Sequence, residues 1–190
     1  MTFFIGVLGV SGSGKTTIIE KLTRVLVARG LKIGAVKHSS HKIFDLKGKD
    51  TRRLRDAGAD VVVGISGRET VILRGRTTEM LELEDIQKMA NNGVDILFIE
   101  GYSSMILENE DILKIVVAND EKTLFRFLRG LKGKTIVTTL TTWRPQLSPR
   151  IENFVPVGKD GANMLADIIG KELSQGYTTQ KLHGDRVYSK

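Results

Sequence analysis

Of the 190 residues, 41% are hydrophobic, and 29 basic side chains against 22 acidic ones leave a net charge of +7. That excludes a disordered chain and fits one domain of ordinary size. There is no cysteine, which excludes disulfide frameworks, thiolate zinc sites and cysteine nucleophiles. The longest nearly unbroken apolar run, residues 3–10, is far short of the ~20 residues that span a bilayer, and no basic residue precedes it as in a secretory signal. A cytoplasmic protein without membrane segments is expected.

Residues 3–9 read as a buried strand, because they are short, apolar and run into a glycine-rich turn. From Lys15 the pattern becomes helical, with Ile18, Ile19, Leu22, Val25 and Leu26 at three- and four-residue spacing and Gly30 where a helix ends. Residues 33–36 form a second strand, followed by the charged stretch Lys37-His38-Ser39-Ser40-His41. Asp50 is placed to cap a short helix through Arg55 that stops near Gly58. Residues 61–65 and 70–73 make a hairpin across Gly67-Arg68, and a helix follows over 84–90. Residues 96–99 are an apolar strand bracketed by Asp95 and Glu100. Strands at 113–117 and 135–138 flank a helix at 121–128, and an amphipathic helix over 162–173 closes the domain. Alternating strands and helices predict an α/β fold, a mainly parallel sheet flanked by helices. Residues 1–174 are read as one nucleotide-binding domain, and the polar, aperiodic residues 175–190 as a mobile C-terminal tail.

Gly9-Val10-Ser11-Gly12-Ser13-Gly14-Lys15-Thr16 matches the phosphate-loop pattern G-x-x-x-x-G-K-[ST] at every specified position. Glycines let successive N–H groups turn toward one phosphate, and the helix N-terminus adds its positive dipole end. Gly12, Ser13 and Gly14 would wrap the phosphates, Lys15 reach the β- and γ-phosphates, and Thr17 donate to the α-phosphate. The Thr16 hydroxyl would ligate Mg²⁺. The loop follows an expected strand and opens an expected helix, as the P-loop NTPase type requires. An acid at the end of a second apolar strand usually organises the metal and the attacking water. Glu100, followed by Gly101, stands at the C-terminal end of its strand, where α/β sites lie. It is the candidate catalytic residue and a metal ligand, directly or through water.

His38 and His41, with Asp45 nearby, could hold a metal, contact a phosphate or a pterin-like ring, or stand exposed in the loop. Flanking Lys37 and Lys42 oppose a cation there. Residues 32–58 hold eight lysines and arginines against three aspartates, Arg52 and Arg53 among them. A solvated face is the default for the charged helical start at 48–55, and the alternative is a surface that suits anions without naming one. No N-K-x-D guanine motif occurs, so the residues alone do not separate GTP from ATP. An ATP-dependent small-molecule kinase fits the same loop; residues 126–134 could serve as its arginine-bearing lid but also read as an ordinary helix and turn. Aromatics are 6% of residues and are not interleaved with the basic patches, which argues against nucleic acid.

The P-loop, Lys37-His38-x-x-His41, Gly48-Lys49-Asp50-Thr51-x-Arg53 with Ala57-Gly58-Ala59, and Asp95…Glu100-Gly101-Tyr102 together resemble the MobB family, the molybdopterin-guanine dinucleotide biosynthesis proteins B. The likeness runs through residues 3–173, and its K-H-x-x-H and G-K-D-T elements are more specific than the P-loop. The resemblance implies a GTP-binding protein, a homodimer with weak GTPase activity. It would assist the guanylyltransferase that attaches GMP to molybdopterin. Under it, His38, His41, Arg52 and Arg53 would face the partner enzyme or the pterin ligand. Two departures stand out. Tyr102 is followed by Ser103 where the family commonly has a lysine, and Val10 is not the second signature lysine of related ATPases.

Overall fold

A computed structural model describes residues 2–38, 50, 53–54, 57–59, 61–65, 67, 69–74, 85–86, 88, 93–146, 153–158 and 160–184. The chain falls into two compact units, Met1–His38 with Gln87–Lys190, and Ser39–Ile86.

The first unit is built on strands β1 (Phe3–Leu8), β2 (Ile33–Lys37), β5 (Ile96–Glu100), β6 (Leu113–Val117), β7 (Thr135–Thr139) and β8 (Asn153–Pro156). They form one sheet in the order β2-β5-β1-β6-β7-β8, and every neighbouring pair is parallel. Parallel strands need long crossovers, so helices cover both faces and the central strands read as unbroken apolar runs. β5 and β6 are accordingly buried along their whole length.

Helices α1 (Lys15–Ala28) and α4 (Gly161–Gly184) share one face. There Ile18, Ile19, Leu22 and Leu26 of α1 and Leu165, Ala166 and Ile169 of α4 pack with Ile5, Val7, Phe98 and Ile115. The alternate strand positions face the other way. On that side Ile106 of α2 (Ser103–Glu108) packs directly over Gly6, and α3 (Glu121–Leu128) buries Leu124 and Phe127. The chain leaves β1 for the sheet edge at β2, returns beside β1 as β5, and then crosses to β6. β1 is therefore the switch point, and the loops after β1, β2, β5 and β6 share the sheet's carboxyl edge, where α/β folds bind ligands.

The second unit contains the hairpin of β3 (Val61–Ile65) and β4 (Thr70–Arg74), antiparallel with Val63 opposite Ile72. Asp50, Arg53, Leu54, Asp85 and Ile86 are helical, as is Lys88 of the first unit. The rest of the helices expected around 50–55 and 84–90 lies outside the described residues.

The α/β expectation holds, and the strands and hairpin fall within a residue or so of where the sequence puts them. Three elements differ. α2 and β8 have no counterpart in the sequence reading. α4 runs on to Gly184, beyond the 162–173 helix expected and into the segment read as a polar tail.

Candidate functional site

The site assembles at the carboxyl edge of β1, β5 and β2. After β1 the chain closes a tight turn in which the Ser13 N–H donates to the Val10 carbonyl at 3.2 Å. Gly14, at φ 95°, passes it into α1, whose first ladder bond runs from the Ile18 N–H to the Gly14 carbonyl at 3.0 Å. A β-carbon on Gly14 would be strained by that φ and would run into the Leu140 side chain. Gly12 and Thr17 are exposed. Ser13 is 4% exposed, and its Oγ has no hydrogen-bond partner among the described residues. A buried unpaired hydroxyl is costly, and a phosphate oxygen in the loop would satisfy it.

Lys15 folds back so that its Nζ donates to the Val10 carbonyl at 2.8 Å. Burial draws its ammonium below the ordinary lysine range; the Glu100 charge opposes that and the Lys37 charge adds to it. Thr16 faces across to β5, where its hydroxyl donates to Glu100 Oε2 at 2.7 Å. The Lys37 Nζ donates to the same hydroxyl at 3.1 Å and stands 3.5 Å from Glu100 Oε1. Glu100 is 9% exposed at the end of an otherwise apolar strand. A buried carboxylate persists where cations and donors meet it, and here it has Thr16, Lys37 and the field of Lys15. The Thr16 hydroxyl and the Glu100 carboxylate form the hard-oxygen donor pair that suits Mg²⁺. Such a metal would still need phosphate or water oxygens to complete its shell.

Gly101, at φ 101°, turns the chain beside His38, whose β-carbon lies 2.6 Å from where a Gly101 side chain would begin. The His38 N–H donates to the Glu100 carbonyl at 2.8 Å, and the His38 ring stacks obliquely on Tyr102 with centroids 4.4 Å apart. Tyr102 is itself left-handed at φ 49°, and burial raises its hydroxyl's pKa. Of the expected site residues, the geometry thus brings Lys15, Thr16 and Glu100 together, with His38 beside them. Arg53 belongs to the second unit, where it pairs with Asp50 at 3.3 Å. His41, Arg52 and Asp45 lie outside the described residues. Among the described residues no group of three or more His, Cys, Asp or Glu side chains could hold a metal.

The arginine-bearing lid of the kinase alternative does not form over the site. Residues 126–128 belong to α3, and the chain then descends to the amino ends of the strands, where the Lys132 N–H donates to the Leu107 carbonyl and Lys134 pairs with Glu172. That edge lies opposite the phosphate loop.

Two roles at the site are not legible in the sequence. Lys37 stands there as a flanking charge and as part of the K-H-x-x-H element, and the structure adds that it bridges Thr16 and Glu100. Asn119, just past the end of β6, donates from Nδ2 to the Ser13 carbonyl at 3.4 Å and accepts from the Thr139 hydroxyl at 3.0 Å. Its position beyond an apolar strand was the available signal.

The family model described as molybdopterin guanine dinucleotide synthesis protein B matches residues 4–137. The chain is 33% identical over 121 residues to the molybdopterin-guanine dinucleotide biosynthesis adapter protein of Haemophilus influenzae, an alignment covering 63% of this chain and 65% of that one. It is 35% identical over 113 residues to the protein so described in Escherichia coli, covering 58% and 62%. The matches thus span less than two thirds of these relatives. Among solved structures, Bacillus subtilis MobB superposes with a TM-score of 0.65 at 23% identity, over 88% of this chain and 96% of that one. A molybdopterin-guanine biosynthesis protein B superposes at 0.63 and 23%, over 90% and 99%. At that identity the structures attest the fold.

Proposed function

Because the chain belongs to the MobB family, we propose that it is a GTP-binding accessory protein of molybdenum cofactor biosynthesis. It would act as an adapter or nucleotide-delivery partner while molybdopterin becomes molybdopterin guanine dinucleotide. The observation that carries this reading is the 2.7 Å contact between Thr16, at the start of α1, and Glu100, at the end of β5. It joins the phosphate loop to an acid on a neighbouring strand, the pairing a nucleoside triphosphate and its metal require.

In this reading Gly12, Ser13 and Gly14 wrap the phosphates, and Lys15 leaves the Val10 carbonyl for the β- and γ-phosphate oxygens. Thr17 donates to the α-phosphate. Thr16 and Glu100 hold Mg²⁺, which when bound neutralises charge between the terminal phosphates. Glu100 also orients a water toward the γ-phosphate. In this reading hydrolysis is weak at best and nucleotide retention is the main property. The partner is the guanylyltransferase, attracted by the positive charge that the sequence concentrates in residues 32–58. A homodimer is part of the proposal, supported by the family and by the exposed apolar row Val63, Ile65 and Ile72 on one face of the hairpin.

Calorimetric competition of GTP against ATP, with and without Mg²⁺, tests the reading. GTP should bind more tightly, and Mg²⁺ should strengthen it. Preference for ATP would favour the small-molecule kinase instead.

A further inference from the structure

The nucleotide reading uses Lys15, Thr16 and Glu100 but gives no role to Lys37, the fourth member of their cluster. Lys37 is the last residue of β2 and the register partner of Glu100. Its ammonium lies 3.1 Å from Thr16 Oγ1 and 3.5 Å from Glu100 Oε1, while the Thr16 hydroxyl donates its proton to Glu100 Oε2. The two groups that would hold the metal are therefore already bridged by a cation. The Lys37 side chain is 54% exposed, so moving it aside breaks one hydrogen bond to Thr16 and a partly solvated ion pair, which is weak. Its backbone is fixed by the ladder to β5 and by the His38 N–H on the Glu100 carbonyl. An ammonium and a divalent ion repel each other and need the same oxygens.

We propose that Lys37 is a built-in competitor of Mg²⁺. Its ammonium neutralises Glu100 when nucleotide is bound without metal, and it swings away when the metal enters. The inference rests on the phosphate-loop reading. It predicts effects of opposite sign. Without Lys37, the Glu100 charge faces the triphosphate offset mainly by Lys15, so binding without metal weakens. The same uncompensated charge draws Mg²⁺ more strongly, so the metal binds at lower concentration. A lysine that merely contacted phosphate would weaken both, and one that merely braced the fold would strengthen neither.

The test is equilibrium binding of a fluorescent GTP analogue, in chelator and across a Mg²⁺ titration. It compares wild type, Lys37→Met, Lys37→Gln, Lys37→Arg, Glu100→Gln and Lys37→Met combined with Glu100→Gln. Lys37→Met should lower the half-saturating Mg²⁺ concentration about three- to tenfold and weaken binding in chelator by a similar factor, as expected for one charge close to a partly screened site. Lys37→Gln gives the same reading should the methionine variant not fold. Lys37→Arg should behave as wild type, and in the Glu100→Gln background Lys37→Met should leave the Mg²⁺ requirement unchanged. An unchanged or raised Mg²⁺ requirement in the folded neutral variants overturns the proposal, as does a full effect without the Glu100 charge. A wild type that binds GTP in neither condition overturns the phosphate-loop reading itself, a result distinct from either of these.

Discussion

At the scale of single residues, Ser13 separates what the fold needs from what a ligand needs. Its buried Oγ has no partner among the described residues, so Ser13→Ala removes an unsatisfied group. Thermal or denaturant unfolding should find the variant as stable as wild type or up to about 1 kcal/mol more stable, while triphosphate affinity falls several-fold. Loss of stability would mean that the hydroxyl is a structural anchor. Glu100→Gln makes the complementary cut. The amide keeps the shape of the carboxylate but carries no charge for metal or water. At saturating Mg²⁺, single-turnover hydrolysis should slow at least tenfold while nucleotide affinity changes only a few-fold; unchanged turnover would leave Glu100 as the end of a strand. The phosphate loop was legible in the sequence because its chemistry is local, from Gly9 to Thr16. The Lys37–Thr16–Glu100 triangle was legible only in part. Glu100 announced itself as a charge ending an apolar strand, but the bridge from Lys37 depends on β2 lying beside β5, a pairing that no local pattern encodes.

At the scale of elements, helix ends explain much of the agreement. α1 stops at Gly30 because the Leu31 N–H reaches the Leu26 carbonyl at 3.1 Å and the Gly30 N–H the Val27 carbonyl at 2.9 Å, with Gly30 at φ 86°. This is the left-handed glycine cap that the sequence suggested. α3 begins at Asp120, whose carboxylate accepts from the Thr123 N–H at 2.7 Å and from the Thr123 hydroxyl at 2.9 Å. The Thr123 backbone bond, then the side-chain bond, holds the Asp120 pKa below its ordinary value near 3.8. A depressed folded pKa means that the cap contributes fully above the unfolded value and is lost as pH falls through the folded one. Asp120→Ala should therefore lower the thermal midpoint by a few degrees at neutral pH, and the gap from wild type should close in strong acid. A gap independent of pH would contradict a charged cap. The elements that the sequence hid are those with weak local signals. α2 is a six-residue helix, short of two turns, entered through left-handed Tyr102. β8 is four residues ending in proline. α4 outlasts its apolar stripe, because the positions after Leu173 are mostly polar and a backbone helix needs no apolar face to continue.

At the scale of the whole molecule, the amino edge of the sheet is stabilised by a fully buried lysine. Lys114, 0% exposed in the middle of the parallel sheet, donates to the carbonyls of Asn109 and Lys132 and ties together the loops before β6 and β7. Burial lowers its pKa, against the pull of Glu110 and Asp111. Lys114→Ala leaves a cavity and two unpaired carbonyls, and denaturant unfolding should show a loss of about 3 kcal/mol. GTP affinity of the folded fraction should be unchanged, because stability and binding sit at opposite edges of the sheet. The α/β class was legible from the alternation of short apolar runs with helical stretches, since a parallel sheet buried on both faces must look that way. Within Ser39–Ile86 the hairpin was legible too, from paired β-branched runs across a glycine. The functional reading needed the additional likeness of K-H-x-x-H and G-K-D-T to a known family, because a phosphate loop by itself does not choose between a kinase and an adapter. The measurement that tests this account most directly is a reconstituted assay of guanine dinucleotide formation. Molybdopterin, GTP, Mg²⁺ and the guanylyltransferase are supplied with no addition, with this protein, or with its Lys15→Ala variant. The account predicts that wild type raises the rate several-fold and that the variant, folded but about ten- to a hundredfold weaker for triphosphate, does not. A rate that wild type leaves unchanged, or that the variant raises equally, would contradict it.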